Sequence, residues 1–205
     1  MDGEKLRIGV LGSTNGTDLQ AIIDAIERKE IGAKISLVGS DKKDAYILER
    51  AKAHNIPTIT LDYKQYRTRE EAESIFVEKL RENRCQLVLL IGFMKILSPY
   101  FVNAFRGRVW NIHPSLLPKY AGGMNMDVHE KVLANHEKET GCTLHEVSED
   151  VDAGKTIMQK KCTVEKDDTP QTLKAKVQKL EQECLLEAIK SVIEGKITIG
   201  EQLEG

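Results

Sequence analysis

Five consecutive apolar residues, Leu87-Val88-Leu89-Leu90-Ile91, run without a polar interruption. Side chains of a strand alternate between its two faces, so a strand of this composition is apolar on both and must be covered on both. That is the position of a central parallel strand in an α/β sheet. The chain before it agrees. Leu6 to Leu11 reads as a buried strand, and Leu19, Ile22, Ile23 and Ile26 recur at the spacing of an amphipathic helix. Ile35 to Val38 is a second strand, Asp44 starts a short helix carrying Ile47, Leu48 and Ala51, and Thr58 to Leu61 supplies a third strand. The alternation is βαβαβ, which predicts an α/β fold: a single Rossmann-like domain, its mostly parallel twisted sheet flanked by helices. A length of 205 residues suffices for one buried core, expected over about residues 6–195.

Later elements follow the same logic. Thr68-Arg69-Glu70-Glu71 has the capping-box form and precedes an inward stripe of Ala72, Ile75, Phe76 and Leu80. Cys142 to Val147 and Lys155 to Val164 read as strands. Thr169-Pro170 opens a long final helix whose stripe is Leu173, Val177, Leu180, Cys184, Ala188 and Val192, closed by Gly195.

Several stretches have a chemical reading beside a structural one. In Val109 to His113 the two-residue period places Asn111 and His113 on one face with Ile112 opposite, and Pro114 ends the strand. Ligands in open α/β sheets sit beyond the carboxyl ends of the strands, so this pair either enters a crevice or serves as a turn asparagine beside a core histidine. Gly12 to Asp18 is a small-residue loop before a helix, with Thr17 or Asp18 placed to cap it. It is an anion site or simply a tight turn, and it matches neither the Walker nor the dinucleotide pattern. The apolar loop Gly92 to Leu97 is core packing or the wall of a flat pocket. The acidic loop Ser148 to Gly154 is solvated surface, or else brings Asp152 against His113 and orients its imidazole.

Some classes are not expected. His129 and His136, on a helix after Gly122-Gly123, lack acidic or cysteine partners at ligand spacing, so no metal is expected. Cys85, Cys142, Cys162 and Cys184 form no CxxC pair and read as reduced buried thiols. A net charge of -2 leaves no general basic field for nucleic acid. No apolar run approaches the ~20 residues that span a bilayer, and MDGEKLR lacks the order of a signal peptide. A cytoplasmic monomer or homodimer is the expectation.

The string NIHPSLLPKY from Asn111 to Tyr120, preceded by GFMKILSP at Gly92 to Pro99 and followed by the loop ending in Asp152, resembles the 10-formyltetrahydrofolate-dependent formyltransferases. The similarity runs from about Leu6 to about Gly195. It implies an enzyme that moves a formyl group from the co-substrate 10-formyltetrahydrofolate to an amine. The chain length fits neither the added barrel of the relatives that formylate initiator tRNA nor the regulatory domain of the hydrolases, so the implied acceptor is glycinamide ribonucleotide, a purine precursor. Another formyltetrahydrofolate reaction, or a nucleotide- or folate-binding module without catalysis, is the alternative.

By the same resemblance Asn111, His113 and Asp152 are catalytic, with His145 supporting them. Asn15, Gly16 and Thr17 hold the substrate phosphate, and Glu181 meets its ribose hydroxyls. Arg69, Met94, Lys95, Ile96 and Leu97, with Asn111 and Asp152, face the folate. The chain departs from the family pattern at Thr14, where a glycine is expected, and at Asp18, where an asparagine is. It departs again in a longer segment after Tyr120 and in Ala153-Gly154-Lys155. Asp18 would repel a phosphate beside it, or it caps the helix facing away. In the expected mechanism Asn111 donates to the developing oxyanion and a protonated His113 supplies charge and a proton. Asp152 favours that imidazolium and orders a water.

Overall fold

The computed structural model describes residues 5–123 and 126–200. Seven strands form one sheet in the order β3-β2-β1-β4-β5-β6-β7. The strands are β1 (Leu6–Leu11), β2 (Ala33–Ser40), β3 (Thr58–Thr60), β4 (Leu87–Leu90), β5 (Val109–His113), β6 (Glu139–Glu146) and β7 (Thr156–Thr163). The first five are parallel, while β6 and β7 run antiparallel to their neighbours. The expected α/β architecture is present. β4 lies between β1 and β5, as its unbroken apolar composition requires.

Helices cover both faces. Leu87, Leu89, Trp110 and Ile112 pack under α1 (Thr17–Glu27), α2 (Tyr46–Ala53) and α6 (Pro170–Ile193). Val88, Leu90 and Val109 pack on the other face under α3 (Arg69–Glu82) and α4 (Pro99–Ala104). The alternation along β4 and β5 is that of strands buried on both sides. A satellite cluster joins Val128 and Val132 of α5 (Met126–Ala134) to Leu173 of α6.

Local differences from the expected pattern have physical causes. Neither Thr17 nor Asp18 caps α1; the cap is Gly16, at φ 65° and with no side-chain bond. That left-handed conformation suits glycine, and a β-carbon there would also strike Ile47. The cap of α2 is Ala45 rather than Asp44. Thr68 caps α3 by accepting from the Glu71 amide, but the Glu71 carboxylate accepts from Arg67 N–H at 3.0 Å, so the box is not reciprocal. Ile75 is half-buried, and Glu73 and Val77 take places on the inner face. Thr169 and Pro170 open α6 as predicted. Leu185 and Ile189 are buried where Leu180 and Val192 are only partly so, because α6 packs on α1, β6 and β7 at once and its apolar face is wide. His136 follows α5 instead of lying on it. Cys162, on the edge strand β7, is half-buried, unlike the other three thiols. Of the longer segment after Tyr120, Met124 and Asn125 lie outside the described residues.

Candidate active site

The parallel strands end on one cleft. Its volume is 470 Å³, and its walls come from the Thr14–Asp18 loop, the Gly92–Leu97 loop, the end of β5, the Ser148–Asp152 loop, and α6. That size is typical of a small-molecule site, and its position beside β1 and β4 is where the strand order reverses.

Asn111 and His113 reach the cleft from the same face of β5. Antiparallel pairing then sets Asn111 opposite His145 on β6. His145 Nδ1 lies 2.9 Å from Glu146 O, and Asn111 Nδ2 lies 3.2 Å from His145 Nε2. The Asn111 amide nitrogen carries two hydrogens, so at least one remains for a ligand whichever tautomer His145 adopts. His145, expected as a supporting residue, thus lies in contact with Asn111.

His113 Nδ1 is 3.3 Å from Asp152 Oδ2, and its Nε2 is 3.1 Å from Tyr120 O. Asp152 also accepts from Gly122 N–H at 2.8 Å, and its Oδ1 is 3.4 Å from His145 Nε2. Tyr120 and Asp152 both adopt left-handed backbones, at φ 61° and 53°. Each such residue costs about 1 kcal/mol or more, a cost tolerated where geometry is set by function. Burial would raise the Asp152 carboxyl, but the neighbouring imidazoles and the Gly122 amide outweigh it and hold the group below the usual range.

Two opposing influences act on His113. Burial lowers its pKa and prevails over Asp152 and the Tyr120 carbonyl, which pull upward. Both its nitrogens face acceptors, so either neutral tautomer leaves one lone pair opposed to another; only the imidazolium satisfies both.

At one end of the cleft, Leu90, Phe93, Leu97 and Val147 form an apolar wall, and Met94, Lys95 and Ile96 complete its rim. Leu97 is buried, whereas Ile96 is exposed. Two bridges hold this loop: Ser13 N–H donates to Gly92 O at 3.1 Å, and Met94 N–H donates to Ser13 Oγ at 2.8 Å. Thr14 packs over Gly92, leaving that glycine no room for a side chain. Lys95 Nζ stands 5.7 Å from the Tyr63 ring centroid. Arg69 does not line the cleft; its guanidinium donates to Ile96 O at 2.9 Å and supports the loop from outside. Glu73, fully buried, accepts from both the amide and hydroxyl of Ser98 at the loop's end. The sequence gives no sign of Glu73, because a glutamate in a charged helix looks solvated and its partner is 25 residues away.

At the other end, Asn15, Gly16 and Thr17 lead into α1 and line the cleft with Glu181. Asp18 does not face away. It is buried, lines the cleft, and its Oδ1 has no hydrogen-bond partner. Burial pushes its carboxyl up to about 6, against a hydrogen bond from Gln182. Glu181, half-buried near Asp18, is raised well above the carboxylate range by desolvation and by the Asp18 charge, with Lys174 opposing. Gln178 donates to Thr17 Oγ1. His129 is buried beside them, its Nδ1 unpartnered, and burial with the nearby Lys174 charge lowers its pKa to about 4. The sequence pattern does not single out Lys174 and Gln178; their signal is the helical period, seven and three residues before Glu181. Among the described residues no group of three or more His, Cys, Asp or Glu is placed to hold a metal ion.

A family model described as formyl transferase matches residues 6–189. The phosphoribosylglycinamide formyltransferase of Haemophilus influenzae is 37% identical over 197 residues, 96% of this chain and 92% of that protein. The human trifunctional purine biosynthetic protein adenosine-3 is 39% identical over 198 residues, which are 97% of this chain and 19% of the human protein. The chain thus spans about a fifth of the length of that relative. The solved phosphoribosylglycinamide formyltransferase of Coxiella burnetii, in complex with CHES, superimposes with a TM-score of 0.90 at 40% identity, covering 97% of this chain and 92% of that one.

Proposed function

The chain belongs to the formyl transferase family, and from that premise we propose that it transfers the formyl group of 10-formyltetrahydrofolate to the amine of glycinamide ribonucleotide. The observation that carries this reading is the convergence of Asn111, His113 and Asp152 in one cleft whose walls also include an apolar loop and the start of α1. The apolar wall at Leu90, Phe93 and Leu97 fits a flat pterin. The start of α1 fits a phosphate, since free amides and the helix dipole both favour an anion, and Glu181 is positioned for ribose hydroxyls.

In the proposed chemistry the acceptor's uncharged amine attacks the formyl carbon. A C–N bond forms as the carbonyl π pair moves to oxygen, giving a tetrahedral oxyanion. The free hydrogen of the Asn111 amide donates to that oxygen. His113, neutral at rest, takes a proton from the attacking nitrogen, and its two facing acceptors, Asp152 and Tyr120 O, then hold the imidazolium. It returns this proton to the departing folate nitrogen as the old C–N bond breaks. One proton has moved from amine to folate, His113 ends neutral, and the step needs no metal.

The test is the absorbance change of a folate cofactor analogue with and without glycinamide ribonucleotide. Product that depends on the ribonucleotide is expected. Product formed equally without it would make the protein a hydrolase, and binding of folate without product would remove the catalytic assignment.

A further inference from the structure

We infer that Lys174 is the counter-ion of the acceptor's phosphate, which it holds from α6 opposite the amides of Gly16 and Thr17 at the start of α1. This inference rests on the proposed acceptor.

Three observations converge. First, Lys174, Gln178 and Glu181 stand on one face of α6 at a spacing of four and then three residues, and all three line the cleft. The bond from Gln178 to Thr17 Oγ1 fixes that face against the beginning of α1. Lys174 is therefore one turn from a residue already in contact with the loop. Second, its ammonium makes no ion pair or hydrogen bond among the described residues and acts on Glu181 and His129 only through its charge. Of the cleft's lining residues only Lys95 and Lys174 are lysines, and none is an arginine; Lys95 sits over Tyr63 in the other half. Third, this end holds two buried polar atoms awaiting partners, Asp18 Oδ1 and His129 Nδ1, each on a residue at most 6% exposed.

Charge balance gives the reason for a lysine. A dianionic phosphate at the α1 amides would lie beside the Asp18 carboxyl, where the family pattern has a neutral asparagine. Protonation of the Asp18 and Glu181 pair relieves part of that repulsion, and a cation across the cleft offsets the rest. His129 also lines the cleft, within reach of the Lys174 charge, and its unpartnered nitrogen can donate or accept.

The test compares wild type, Lys174→Met and Lys174→Arg with three probes: glycinamide ribonucleotide in turnover, ribose 5-phosphate in calorimetry, and the ribonucleoside lacking the phosphate. Lys174→Met is expected to raise KM for the ribonucleotide and Kd for ribose 5-phosphate about tenfold or more, the size of one charge-assisted contact. Both losses should shrink in high salt, and KM for the formyl donor should hold. Lys174→Arg should restore most of the affinity, and the unphosphorylated nucleoside should bind all three proteins alike. Equal weakening of phosphorylated and unphosphorylated probes, or unchanged KM in Lys174→Met, would overturn the assignment. If no formyl transfer occurs but ribose 5-phosphate binds in a Lys174-dependent way, the subsite stands and the acceptor reading falls. If wild type turns over while Lys174→Met binds ribose 5-phosphate normally, only the subsite falls.

Discussion

The two ends of the polar machinery are built on opposite principles. Around His113 every polar side chain already has a partner within the protein: Asn111 with His145, His113 with Asp152 and Tyr120 O, Asp152 with Gly122. Around Asp18 the buried polar atoms are left over, with Asp18 Oδ1 and His129 Nδ1 unpaired and the Glu181 carboxyl pushed upward by desolvation and the Asp18 charge. The first arrangement spends its free energy on fixed orientation, so a reacting group meets dipoles that need not reorganise. The second stores unsatisfied capacity that only a ligand with several hydrogen-bonding groups can use. Substitutions should therefore reduce turnover at the first and shift stability and binding at the second.

The largest effects test the first half. Asp152→Asn and His113→Ala should each lower kcat/KM about 10²- to 10⁴-fold in the coupled folate assay. A loss below tenfold in both would break the contrast. Next, Glu73→Ala should destabilise the fold by about 3 kcal/mol in urea titration, because it strands the buried amide and hydroxyl of Ser98. The same change should raise KM for the folate more than for the acceptor, since Ser98 ends the loop that walls that side.

The second half is sharpened by pH. The Asp18 carboxyl is raised from 3.8 to about 6, so the folded state binds more protons across that window and stability falls as pH rises through it. Asp18→Asn should remove that fall and stabilise the protein by about 1–3 kcal/mol above pH 7. His129 has the opposite sign. Its pKa drops from 6.5 to about 4, so the unfolded state binds the extra proton and stability falls as pH drops through that window. His129→Gln should flatten the acidic limb, so the two variants tilt the stability profile in opposite directions. Parallel profiles would show that the two groups do not share one buried site. The smallest expected effect is Thr169→Ala, which removes the cap of α6 and costs about 1 kcal/mol in thermal unfolding.

The sequence made one half of this contrast readable and left the other largely hidden. A period of two along Val109 to His113 is enough to put Asn111 and His113 on one face, and an unbroken apolar run is enough to make β4 central. Asp152 came from resemblance, because nothing in periodicity brings a loop 39 residues onward back to His113. Thr17 or Asp18 reads as a cap because such residues at helix starts usually serve that way. Which side of the first turn faces the interior depends on α6, and that contact spans 161 residues. The balance at His113 is hidden for a related reason: a neighbouring carboxylate is visible in a motif, but the burial that opposes it is not.

Among the described residues α6, 24 residues long, is the last regular element, and the apolar face of α1, Leu19, Ile22 and Ile23, shares a core with its Val177, Cys184, Leu185 and Ala188. During synthesis the sheet emerges well before this cover does. While those residues remain in the ribosomal tunnel, α1 and the outer hairpin of β6 and β7 expose their greasy sides to chaperones. The wall built by the Gly92–Leu97 loop is already translated by then, whereas Lys174, Gln178 and Glu181 are not. A chain stalled at that point would be half a cleft attached to an uncovered sheet, and so a natural substrate for quality control.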